Sequence, residues 1–183
     1  MRPKTASHLL SRRRLTALRV NDKIIAGGPA RGLAAHHNMD ITTASVLDLT
    51  ALNKLERACF GKDAWPILDL IAVLTFPEVV RLKAVENGRM IGFAAGDMHN
   101  GDGLGWIATI GIDPEYRRRG YGRELLRACE AELTTPRIRL SVRASNDGAI
   151  RLYEQEGYRR VDVWQAYYND GEAALIMEKD RAA

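Results

Sequence analysis

Three consecutive arginines, Arg117, Arg118 and Arg119, run into Gly120, Tyr121 and Gly122, and a fourth arginine follows at Arg123. The segment lies between an apolar run, WIATIGI at 106–112, and a stretch whose apolar residues Tyr121, Leu125, Leu126, Cys129 and Leu133 recur at helical spacing. A strand that turns through glycine into a helix aims unpaired backbone N–H groups at one point, where the helix dipole adds partial positive charge. That arrangement suits phosphate. Gly120 and Gly122 carry no side chain that would hold a phosphate off the main chain, and the arginines add charge around it. A bare Arg/Gly run also reads as a solvated basic turn, but the strand before it and the helix after it argue for the anion site. A Walker loop would need Gly-Lys-Ser/Thr. A dinucleotide fingerprint would need a third glycine and an acidic residue about 20 positions on. Neither pattern is present.

Other chemistries have less support. His8, His36, His37 and His99 have no metal-ligand spacing with Cys, Asp or Glu, so no metal is expected. Cys59 and Cys129 are isolated, as free thiols of a reducing compartment are, and a cytoplasmic location is expected. The longest apolar stretch, ILDLIAVLTF, contains Asp69 and is too short to span a bilayer; no secretory signal is visible.

The elements that must position the turn are regular from Met39 onward. DITTA reads as a short strand. Ser45 caps a helix through about Phe60 whose apolar face is Leu47, Leu49, Leu52, Leu55 and Cys59. A second helix covers roughly 64–74. VVRLKAV and MIGFAAG flank Asn87-Gly88, a hairpin signal. LGWIATIGI follows, then a helix from about Gly120 to Leu133. The strand IRLSVRA leads into a helix capped by Ser145 or Asn146 and closed at Gly157. RRVDVWQAYY and AALIME form a final hairpin across NDG. The order is β-α-α-β-β-β-α-β-α-β-β, which predicts an α/β (α+β) fold with a mixed sheet and helices on both faces. At 183 residues, one domain over 39–183 is expected.

Residues 1–38 read differently. Eight basic residues stand against Asp22 alone, a net +7, which leaves 39–183 at −3 within the whole-chain +4. The alkaline pI belongs to this extension, so nucleic acid is not an expected partner of the domain. A disordered tail, or a start upstream of a natural beginning at Met39, is the simplest reading. A targeting peptide and a basic arm that touches an acidic partner such as the ribosome are the alternatives.

The segment IATIGIDPEYRRRGYGRELL resembles the acetyl-CoA motif of the GNAT N-acetyltransferases. LSVRASNDGAIRLYEQEGYRRVDVWQAYYNDGEAALIMEK is similar to the C-terminal half of the RimI-type N-terminal acetyltransferases, and ERACFGKDAW matches their front helix and loop. The resemblance spans about 39–179. It implies the GNAT fold, acetyl-CoA as cosubstrate and a protein N-terminus as acceptor, a ribosomal protein among the possibilities. Transfer to a small-molecule amine and non-catalytic acyl-CoA binding are the alternatives. It implies that Ile110, Gly111 and Ile112 pair their backbone with the pantetheine arm, and that backbone N–H groups from Arg118 to Arg123 hold the pyrophosphate. Asn146 would contact the cofactor, and helix N-capping is compatible with that. Tyr153 would protonate the leaving thiolate, although its spacing from Ala149 and Ile150 alone reads as core. Phe60, Trp65, Tyr167 and Tyr168 would wall the acceptor groove, with Phe60 and Trp65 equally readable as plain core. Only one of the paired tyrosines is expected to face it, because neighbours on a strand point opposite ways.

The chain departs from the resemblance at the general base. Where RimI-type enzymes carry a carboxylate in this strand, it has Ser141; where others place glutamate or tyrosine one strand earlier, it has Trp106. Neither accepts a proton at neutral pH. Asp63, Asp97 and Glu172 are candidate substitutes, although each reads more simply as a solvated surface charge.

Overall fold

The computed structural model describes residues 39–100 and 103–181; everything expected of the N-terminal extension lies outside the described residues. The strands are β1 (Met39–Thr43), β2 (Val79–Glu86), β3 (Arg89–Asn100), β4 (Leu104–Ile112), β5 (Arg137–Arg143), β6 (Arg159–Trp164) and β7 (Ala174–Asp180). The helices are α1 (Leu49–Phe60), α2 (Ile67–Thr75), α3 (Tyr121–Glu132) and α4 (Asp147–Gln155). Their order along the chain matches the expected one. One seven-stranded sheet runs β1-β2-β3-β4-β5-β7-β6, and β4–β5 is its parallel pair.

Local chemistry explains the boundaries. Asn87 and Gly88 both take positive φ (51° and 74°), so Glu86 pairs directly with Arg89 across a two-residue turn. At the first helix Ser45 and Asp48 form a capping box, with the Asp48 carboxylate accepting the Ser45 N–H at 2.8 Å. That box closes a separate 3₁₀ turn, Val46–Asp48, before α1 begins. The tighter turn throws Leu47 off the expected apolar face, and it is 91% exposed. Leu52, Leu55 and Cys59 are buried as the helical period requires.

The two faces of the sheet carry separate cores. Tyr121, Leu125, Leu126, Cys129 and Leu133 of the α3 stretch, with Ile150, Leu152 and Tyr153 of α4, pack on Ile107, Ile110, Leu140 and Val142. Leu52, Leu55, Phe60, Leu70 and Val73 pack on Phe93 and Ala95 from the other side. Fully burying one such side chain contributes roughly 1.5–3 kcal/mol.

The final hairpin is shorter than expected. β6 ends at Trp164, and Ala166 takes φ 50°, so the chain leaves the sheet before the tyrosines. Tyr167 and Tyr168 both donate their N–H to the Glu172 carbonyl, at 3.0 and 3.1 Å. They are turn residues, and the strand rule that would point them to opposite faces does not apply.

Candidate active site

The site begins with a strand pair that comes apart. β4 and β5 pair only over Leu104–Trp106 against Arg137–Arg139. Thr109 pairs with Ala95 and Ile107 with Gly96, which leaves Ala108 as an extra residue, a β-bulge. A bulge increases local twist and bends the strand. Beyond it β4 stays on β3, while β5 pairs with β7 along its whole length. A wedge opens between them. Ile110, Gly111 and Ile112 line it with the main-chain edge not used by β3. Gly111 is required from behind as well: a Cβ there would lie 3.0 Å from Phe60 Cζ and 3.3 Å from Cys59 Sγ.

At the end of β4 the chain makes the arginine–glycine turn. Arg118 (φ 64°) and Gly120 (φ 89°) both take left-handed backbone, and Gly120 caps α3. Positive φ at alternate positions folds successive N–H groups into a concave nest, and the first N–H groups of α3 extend it. The charge around the nest comes less from the arginines than expected. Arg117 turns back and donates Nε to the Ile112 carbonyl at 3.0 Å. Arg119 lies over the Tyr116 ring, 5.1 Å from its centroid, and donates to the Glu115 carbonyl at 3.4 Å. Arg123 pairs with Gln155 and, at 2.9 Å, with Glu156. Among the described residues no side chain pairs with Arg118, which is exposed. Tyr121 buries its ring and donates its hydroxyl to Glu86, so only its main chain faces the turn.

Across the wedge, α4 starts at Asn146, whose Oδ1 accepts the Ala149 N–H at 3.2 Å. Tyr153 follows two turns later, fully buried, its ring 5.7 Å from that of Tyr158. The core reading is therefore met, since Tyr153 belongs to the α3–α4 core.

The opposite face of β5 is built from side chains. Ile138, Leu140 and Val142 point to the α3–α4 core, so Arg139, Ser141 and Arg143 point the other way. An aromatic row crosses this face: Trp106 to Trp164 at 5.9 Å, Trp164 to Tyr167 at 5.4 Å, and Tyr167 to Tyr168 at 5.1 Å. Tyr168 ends it beneath the Arg143 guanidinium, 3.9 Å away. Of the two readings open for Phe60 and Trp65, groove wall or core, the structure gives the core: they are 6% and 4% exposed. They pack into the α1–α2 core and brace the loop between those helices, because Phe60 fills the space that Gly111 leaves.

The expected substitutes for the base are mostly engaged. Asp63 and Glu172 each accept from Arg143 at 2.6 Å. Burial works against the Glu172 charge, but hydrogen bonds from Ser145 and Arg143 outweigh it and hold its pKa below the usual carboxylate range. Asp97 is 9% exposed, opposite Trp106 on β3. Ser141 is buried, and its Oγ has no hydrogen-bond partner among the described residues.

Three features escaped sequence reasoning: the Arg143 cluster, Trp164, and Glu56. Glu56 is 3% exposed on α1, and its carboxylate accepts the Trp65 N–H at 3.1 Å. Burial raises its pKa to about 7, with the Trp65 hydrogen bond pulling the other way. Its position in the helical period, four residues after Leu52 and next to Leu55, was a usable signal that it lies on the buried face. Nothing local signalled Arg143, whose partners are distant in sequence.

Comparison with known proteins bears on this geometry. Residues 49–158 match the acetyltransferase (GNAT) family. The chain is 34% identical over 132 residues to the N-alpha-acetyltransferase RimI of Mycobacterium tuberculosis, covering 69% of this chain and 83% of that protein. It is 29% identical over 147 residues to the catalytic subunit NAA10 of the N-terminal acetyltransferase A complex of Arabidopsis thaliana, covering 76% and 77%. A solved structure of the ribosomal-protein-alanine N-acetyltransferase from Escherichia coli superposes with TM-score 0.71 at 29% identity, covering 79% of this chain and 96% of that one.

Proposed function

The chain belongs to the GNAT acetyltransferase family, and from that premise we propose that it moves the acetyl group of acetyl-CoA onto the α-amine of protein N-termini. One observation carries the reading: the wedge joins a main-chain nest on one side to an aromatic, side-chain-built face on the other. The nest suits a diphosphate, and the edge of Ile110–Ile112 turned away from β3 suits the amide-bearing pantetheine arm, with the Ile112 carbonyl already held by Arg117. The aromatic face suits an extended peptide end. Relatives named as N-alpha-acetyltransferases support the choice of acceptor.

The chemistry follows from what these groups can do. The neutral amine nitrogen attacks the thioester carbonyl carbon, forming the C–N bond and placing negative charge on the carbonyl oxygen. Backbone N–H groups of β4 would stabilise that charge. Collapse breaks the C–S bond. The Tyr153 hydroxyl would give its proton to the departing thiolate and recover one from solvent, while the amine's proton leaves to water.

The absence of a carboxylate at Ser141 and Trp106 fits an α-amine acceptor. An α-amine with pKa about 7.8 is roughly 10–15% neutral at pH 7, whereas a lysine amine at about 10.4 is only about 0.04% neutral. Working without a strong base therefore costs an α-amine enzyme about tenfold and a lysine enzyme more than about a thousandfold.

A free-thiol assay with acetyl-CoA tests the reading. Thiol release with peptides that start with Ala, Ser or Met supports it. Release with polyamines alone would move the acceptor to small molecules, and binding without release would make the chain an acyl-CoA-binding module.

A further inference from the structure

We propose that Arg143 is the positioning residue of the acceptor site: it clasps the two loops that flank the aromatic face and fixes Tyr168 between them. The inference rests on the acceptor reading given above. Arg143 is the last residue of β5, and its side chain is only 6% exposed. Nη2 donates to Asp63 Oδ2 at 2.6 Å, in the turn between α1 and α2. Nη1 donates to Glu172 Oε2 at 2.6 Å and to both Asp170 oxygens at 3.1 Å, in the β6–β7 connection. The guanidinium plane also covers Tyr168.

One planar fork thus holds two loops, one anchored 80 residues before it and the other 27 to 29 residues after it. A lysine, as a point charge, could not serve the three carboxylates in fixed directions. Apolar residues of similar volume would join the loops at least as stably, since a buried ion pair must first lose its water. What the ionic cluster supplies instead is geometry. Burial works against the Arg143 charge, yet the hydrogen bonds to Glu172, Asp170 and Asp63 outweigh it and raise its pKa, so the fork stays charged.

The cluster has two branches. The Asp63 branch ties the fork to the loop between α1 and α2. The Glu172 branch goes further, because Glu172 Oε1 also accepts the Ser145 N–H at 2.8 Å. Ser145 precedes Asn146, the cap of the helix that carries Tyr153. Loosening the first branch should disturb acceptor binding alone. Loosening the second should also disturb the step at the thioester.

The test uses Asp63→Asn and Glu172→Gln in the full chain, since each removes one charge and leaves the arginine paired. Asp63→Asn is expected to raise KM for an acceptor peptide about tenfold, the equivalent of about 1.4 kcal/mol, with kcat and KM for acetyl-CoA unchanged. Asp63→Glu should restore most of the loss. Glu172→Gln should raise the same KM and lower kcat as well. Independently of turnover, amide hydrogen exchange in Asp63→Asn should quicken at 61–65 and at 167–172 together. A folded Asp63→Asn protein with unchanged peptide KM, or one altered only in melting temperature, would overturn the proposal. If the wild-type protein acetylates no peptide, the functional reading fails by itself. The exchange experiment then decides the clasp, and faster exchange confined to 61–65 would refute it.

Discussion

The two sides of the wedge are made of different materials. The arginine–glycine turn is a main-chain site: its shape comes from two left-handed residues and a helix start, and Arg117, Arg119 and Arg123 are spent on protein partners. The aromatic face is a side-chain site, drawn from β4, β5, β6, two loops and the Arg143 cluster. A main-chain site presents the same N–H groups whatever side chains surround it, so it suits a diphosphate that never varies. A side-chain site can be retuned one residue at a time, which suits an acceptor.

That contrast can be broken at four points. The most severe is Gly122→Val, which puts a branched side chain where the diphosphate must approach the main chain. Calorimetry should find acetyl-CoA binding weakened by at least about a hundredfold, with little change in fold, because this position is ordinary helix. Retained affinity would mean that the main chain is not the ligand. Next comes Tyr153→Phe. It should lower kcat by about one to two orders of magnitude with acetyl-CoA affinity near normal, and unchanged kcat would return Tyr153 to the core alone.

Glu56 tests the other side, where side chains carry a stability cost. Its pKa is raised from 4.5 to about 7, so between those values the folded state holds a proton that the unfolded state has lost. Stability should therefore fall as pH rises from about 5 to 7, by about 2 kcal/mol, and level off above. Glu56→Gln keeps an oxygen for the Trp65 N–H and should flatten that slope in denaturant titrations at pH 5, 6, 7 and 8. A slope that persists would assign it to another group. The smallest effect is expected for Arg119→Ala. If the nest is main chain, acetyl-CoA affinity should drop by less than about threefold; a loss near that of Gly122→Val would erase the distinction between the two sides.

How much of this was legible follows the same division. The hairpin at Asn87-Gly88, the α3 face and the caps at Ser45 and Asn146 depend on residues within a few positions of each other, and all were readable. The strand through Tyr167 and Tyr168 was not, because alternation of aromatics is the same in a strand and in a turn until φ at Ala166 is known. Arg143 looked like one more strand residue. The resemblance to N-acetyltransferases held because its motifs are contiguous.

By itself the amino-acid sequence determined the order of elements, the glycine turn that opens α3, and the absence of a carboxylate at Ser141 and Trp106. These are matters of backbone preference and residue identity, settled over short distances along the chain. Only the tertiary structure decided which arginines remain available, where β4 and β5 part, and which carboxylates gather on Arg143. Those outcomes depend on partners such as Glu86 with Tyr121, 35 residues apart, and Asp63 with Arg143, 80 apart. A side chain's partner over such distances is chosen by the packing of whole elements, which no local pattern encodes.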